Sequence, residues 1–128
     1  MRHLLIATTV LALAGCTVKP PIEPRADPYP SKQIHMDSEE LRLDTAVDAP
    51  IFTRNESGLL VATIPIRATI DKTLYLDYRV TYFDSNRVPL STIGPFSKKL
   101  LPNVPDRIQV TATDPKAADL QVDFYYSR

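Results

Sequence analysis

Over most of the chain apolar and polar residues alternate. Leu60, Ala62, Ile64, Ile66, Ala68 and Ile70 fall on one parity, with Val61, Thr63, Pro65, Arg67 and Thr69 on the other. Successive side chains of a strand point to opposite faces of a sheet, so a period of two marks a strand buried on one side. Leu74, Leu76, Tyr78, Val80 and Tyr82 repeat the pattern against Tyr75, Asp77, Arg79, Thr81 and Phe83, followed by Ile108, Val110 and Ala112. Leu120, Val122, Phe124 and Tyr126 complete it. Turn-forming clusters lie between these runs at 55–58, 71–72, 84–86, 102–106 and 114–118. Weaker strands are expected at 33–36, 41–51 and 93–101. The whole predicts an all-β domain, an immunoglobulin-like antiparallel β-sandwich of about seven strands. Ser38-Glu39-Glu40 offers an alternative to an early strand, because Ser caps a helix and acids favour its first turn. Pro65 cannot donate to a ladder, which predicts a sheet edge or a bulge there.

The N-terminus follows different rules. After Arg2-His3, the stretch 4–13 is apolar except for Thr8 and Thr9. At 1.5 Å rise per residue such a run crosses only about half of a ~30 Å hydrocarbon core, as expected of a signal peptide and not of a permanent anchor. Leu13-Ala14-Gly15-Cys16 resembles the lipobox of bacterial lipoproteins. Small residues let a peptidase reach the backbone between Gly15 and Cys16, and the thiol is the atom that carries the lipid. The resemblance implies signal cleavage before Cys16 and lipidation of Cys16, with the mature chain held on a membrane outside the cytoplasm. Several acyl chains on one residue make that attachment persistent, whereas one gives only marginal binding. Residue 17 is Thr, and lipoprotein sorting then implies the outer membrane, since Asp at that position is the usual inner-membrane signal.

Residues 17–32 hold five of the twelve prolines. Each fixes φ and removes an N–H, so the stretch is expected to be an extended spacer reaching about 50 Å at ~3.1 Å per residue. The expected organisation is therefore a signal peptide at 1–15, a lipidated Cys and Pro-rich tether at 16–32, and a sandwich domain at 33–128.

Composition narrows the chemistry. Fifteen Lys and Arg balance fifteen Asp and Glu, leaving no basic excess to displace counterions from nucleic acid. One cysteine excludes an intrachain disulfide and multi-cysteine metal sites. Beyond the signal the only histidine is His35, and no G-x-S-x-G elbow accompanies it, so hydrolysis by a Ser–His–Asp arrangement is not expected. Asp37, Glu39 and Glu40 are the densest acidic group, without the D-x-D-x-D-G spacing of a calcium loop. Asn55-Glu56-Ser57 fits a glycosylation sequon and reads as a turn. A non-enzymatic protein without cofactor, metal or small-molecule substrate is expected.

Partner binding has candidates. If the strands at 74–83 and 120–126 share a sheet, its outer face combines Tyr75, Phe83 and Tyr125 with Arg79 and Arg107. Tyr and Arg are enriched at interface hot spots. Packing of loops on that face is the structural alternative.

Finally, 76–86, with Asn55-Glu56-Ser57-Gly58-Leu59-Leu60 before it and 112–120 after it, resembles the YcfL family of bacterial envelope lipoproteins. The chain has Tyr82 where that family usually has Trp, and Asn86-Arg87 where a Gly commonly follows the Asp turn. The resemblance implies a β-sandwich outer-membrane lipoprotein facing the periplasm and supplies no catalytic residues. Two roles are expected: a binding or scaffold module for an envelope protein or cell-wall component, or alternatively a lipoprotein subunit of a secretion or other envelope-spanning machine.

Overall fold

The structure, a computed structural model, describes residues 32–128. Gly15, Cys16, the signal segment and the tether up to residue 31 lie outside the described residues. The elements are β1 (Ile34–Met36), α1 (Glu39–Asp44), β2 (Thr45–Val47), β3 (Ile51–Arg54), β4 (Leu60–Ala68), β5 (Leu74–Phe83), β6 (Pro89–Leu100), β7 (Asp106–Thr111) and β8 (Asp119–Tyr126). They form two layers. One sheet runs β1-β8-β5-β6; in the other, β4 is central, with β2 and β3 paired to it and β7 paired to it as well. The protein is an all-β sandwich with eight strands among the described residues.

The expected strand at 41–51 is where the count changes. Ser38 Oγ accepts from the Leu41 backbone N–H at 3.1 Å, with Glu39 and Glu40 in the first turn, so a helix starts where the acids favour it. Thr45 Oγ1 donates to the Leu41 carbonyl at 2.8 Å as the chain leaves the helix, and Leu41 is fully buried. One departure from an antiparallel sandwich is β1, which runs parallel to β8 with Ile34 opposite Val122 and Met36 opposite Phe124.

Pro65 lies in the central strand, not at an edge. The Pro65 carbonyl accepts from Asp48 N–H at 3.0 Å, whereas the Leu60 carbonyl accepts from Ala112 N–H on the β7 side. Within an antiparallel strand the N–H and C=O of one residue point the same way. The odd residues of β4 therefore face β2 and β3, the even ones face β7, and the missing Pro65 donor falls on the β2–β3 side. That side is interrupted at 48–50, between Val47 opposite Ile66 and Ile51 opposite Thr63. The sheet accommodates the proline by breaking its neighbour.

Inner faces follow the alternation. Ala62, Ile64, Ile66, Leu76, Val80, Leu120, Val122 and Phe124 are all buried. Tyr78 stands among them half-buried, its ring 5.4 Å from that of Phe96 and 5.9 Å from that of Phe124. Tyr82 is 2 % exposed, and its hydroxyl has no hydrogen-bond partner among the described residues. A buried unsatisfied hydroxyl costs on the order of 1–3 kcal/mol. Tyr82→Phe is therefore expected to melt at the same temperature as the parent or higher. A fall of several degrees would show that the hydroxyl is bonded.

β6 is bent where Gly94 and Pro95 together oppose Arg79, between the pairs Ile93–Val80 and Phe96–Tyr78. Gly94 has φ +111°, and a Cβ there would sit 2.9 Å from the Tyr78 carbonyl oxygen. Only glycine fits both the left-handed backbone and this close approach.

Candidate functional site

β5 and β8 do share a sheet. Asp77 lies opposite Tyr125, Arg79 opposite Asp123, and Phe83 opposite Asp119. The odd residues of both strands therefore form one outer surface. Arg79 places its guanidinium carbon 5.8 Å from the centre of the Tyr125 ring, within cation–π range. Tyr75 is 58 % exposed and sits diagonally beside Tyr125, two residues along from Asp77. Asp77 is held by Ser97 Oγ at 2.9 Å from β6 and by Ser127 Oγ at 2.8 Å beyond β8. The carboxylate between the two tyrosines is thus tied to strands on both sides. His35 is exposed opposite Asp123, in the same cross-strand row as Arg79. Tyr75, Arg79 and Tyr125 form a compact group on a rigid support.

Phe83 does not join it. Eight residues along β5 at about 3.4 Å each place it roughly 27 Å from Tyr75. There it meets a residue the sequence reading missed: Arg87, whose guanidinium lies 5.5 Å from the Phe83 ring and forms an ion pair with Asp119 at 3.1 Å. Gln33 also reaches Asp119, at 3.1 Å. Arg87 has φ 60°, in the region that favours glycine. Asp84 Oδ1 shapes this turn by accepting from the N–H groups of Asn86 and Val88. The turn cluster at 84–86 marks the bend, but alternation carries no signal for the backbone of residue 87.

Arg107 is a correction. It lies on β7, opposite Pro65, in the other sheet. The alternation places its side chain outward but cannot assign its sheet, and the face built on β5 and β8 excludes it. Its neighbour Asp106 pairs with Lys98 at 3.1 Å. The backbone N–H of Arg107, aided by the Lys98 ammonium, holds the Asp106 carboxyl below the usual carboxylate range.

Among the described residues no group of three or more His, Cys, Asp or Glu is placed to hold a metal, and no helix is long and apolar enough to cross a membrane. The outer surface of β5 and β8 offers exposed rings, a guanidinium and fixed carboxylates, which is the chemistry of surface recognition.

The architecture defines a small two-layer β-sandwich. Two solved structures share it. A Campylobacter jejuni protein, Cj0090, superposes with a TM-score of 0.60 at 12% identity, covering 75% of this chain and 99% of that one. A member of the bacterial DUF1425 family from Shewanella sp. pv-4 superposes with a TM-score of 0.57 at 21% identity, covering 66% of this chain and 79% of that one. The sequence matches no family model and no curated protein.

Proposed function

We propose that this chain is a non-enzymatic, lipid-anchored lipoprotein of the bacterial outer membrane related to the YcfL family. Its sandwich domain faces the periplasm and acts as a binding or scaffold module for an envelope protein or cell-wall component. The observation that carries the reading is the coincidence of the only cysteine with the end of the lipobox, at Cys16. The likeness of the fold to a DUF1425 member supports the kinship. The group of Tyr75, Arg79 and Tyr125 supports a binding role, because rings and a guanidinium on a rigid sheet lose little entropy on capture.

Two measurements test these parts separately. Cys16→Ser is expected to abolish palmitate labelling and to accumulate unprocessed precursor; labelling that persists refutes the anchor. Arg79→Ala combined with Tyr125→Ala removes an exposed cation–π contact of only about 0.5–1 kcal/mol, so the melt should barely move. If the pair forms a hot spot of ~2 kcal/mol or more, affinity for an envelope protein first captured by crosslinking to the parent chain should fall at least about 30-fold. An unchanged affinity removes this face from the binding role.

A further inference from the structure

The two sheets differ in width, and the mismatch falls on one side. β5 buries its inner residues Leu74, Leu76, Val80 and Tyr82 to 2 % exposure or less. On β6 the residues in register with that face are fully buried only at Leu100; Lys98 and Ile93 are half-buried, Phe96 is 40 % exposed and Ser91 is exposed. The other sheet ends beneath this region with β7, as the Lys98–Asp106 ion pair between the two strands marks.

The edge of β7 is equipped to take one. Because the even residues of β4 face β7, the pairs Ile64–Ile108 and Ala62–Val110 carry the ladder. The N–H and C=O of Arg107, Gln109 and Thr111 therefore point away from it. Asp106 Oδ1 accepts from Arg107 N–H at 2.7 Å, and among the described residues the outward N–H and C=O of Gln109 and Thr111 meet no partner. The other edges are blunted. β1 is three residues long, the β2–β3 edge is broken at 48–50, and β6 carries Pro89, Pro95 and a bulge. Within 106–111 there is no proline, no bulge and no lysine.

We propose that the free edge of β7 and the uncovered inner side of β6 form an acceptor groove for an extended strand of a partner protein. The reading is independent of the Tyr75–Arg79–Tyr125 face, which lies on the opposite side of the β5 sheet. The tether is unsuited to the groove, since five of its sixteen residues lack the N–H a ladder needs, and it joins the domain at β1, the far edge of the first sheet. A second copy is also unsuited: its β7 comes with its own β6 alongside, which would meet the first β6. The side chains along the outer side of β7 are Arg107, Gln109 and Thr111, one cation and no carboxylate. The fitting segment is therefore proline-free, with apolar residues at alternate positions toward Ile93 and Phe96 and an Asp or Glu on the other side toward Arg107.

The test uses the full chain in detergent micelles and a synthetic peptide of about ten residues, alternating Val with Thr and Glu. Amide hydrogen exchange read by NMR should slow about 10-fold or more at Gln109 and Thr111 when the peptide is added, with unchanged rates at Thr92 and Ser97. No slowing at saturating peptide overturns the groove, as does equal protection by a peptide N-methylated at alternate amides. Gln109→Pro removes an N–H that β4 does not use, so the fold should persist while protection of Thr111 is lost. Unfolding of this variant would show that the amide is bonded within the domain and would equally overturn the proposal. Phe96→Ser should weaken the peptide at least several-fold, and unchanged affinity removes the β6 roof.

Discussion

Val122→Asp is expected to abolish folding of the sandwich, while Thr111→Asp leaves its melt in place. Val122 is completely buried in the middle of its sheet, with Ile34 of β1 on one side and Val80 of β5 on the other. Its backbone N–H is bonded to the Gln33 carbonyl at 2.7 Å, so the strand cannot rotate the new side chain outward without giving up the β1 pairing. An unpaired carboxylate in such a site costs several kcal/mol. A domain of this size has only about 5–15 kcal/mol of net stability. The single cysteine lies in the N-terminal segment, so no disulfide shores up the fold. Thr111 is exposed at the end of β7, where a substitution shifts stability by about 0.5 kcal/mol or less. Circular-dichroism melts of the two variants decide the matter. A folded Val122 variant beside an unfolded Thr111 variant would reverse the assignment of inner and outer faces.

The same residues show where sequence reading reaches its limit. Alternation in 60–70, 74–83 and 120–126 identified the inner faces correctly because burial of one face leaves its mark on every second residue. It says which side of a sheet a residue takes, and nothing about which strands adjoin. Arg107 was accordingly placed with Arg79, although the two belong to different sheets. The parallel contact of β1 with β8 joins residues almost ninety positions apart, and three residues are too few to show a period. The strand expected at 93–101 begins earlier, at Pro89, and Gly94 and Pro95 form a bulge within this edge strand, which a period of two does not show. Pro65 predicts a sheet edge or a bulge, but β4 is central: the missing donor falls where the neighbouring β2–β3 side is interrupted at 48–50. Ser38 was legible because its cap is purely local. The group of Tyr75, Arg79 and Tyr125 follows from two alternations once their strands are adjacent, whereas Arg87 depends on a backbone turn that alternation does not encode.

Above about pH 10 the domain is expected to lose stability steeply, through its inward-facing phenols. Burial pushes the Tyr78 hydroxyl up from its ordinary value of 10.0, and burial followed by the neighbouring Tyr78 does the same to Tyr82. Tyr126 is pushed furthest, first by burial and then by its hydrogen bond to the Asp44 carboxylate, which an ionised phenol would repel. In the unfolded chain these phenols titrate near 10.0, so between that value and their folded pKa the native state holds protons that the unfolded state has lost. Their contribution is complete below pH 10 and declines as the pH rises through that interval. Each phenol then adds a slope of up to about 1.4 kcal/mol per pH unit within its own interval, so the loss is steepest where the intervals overlap. Urea melts between about pH 8 and about pH 12 measure the slope directly. Tyr126→Phe should flatten it, at a cost near neutral pH of about 1 kcal/mol for the lost bond that ties α1 to the end of β8. Stability that stays level while tyrosinate absorbance develops for every phenol would mean that Tyr78, Tyr82 and Tyr126 ionise within the folded domain, and the packing that places them among the core strands would then be wrong.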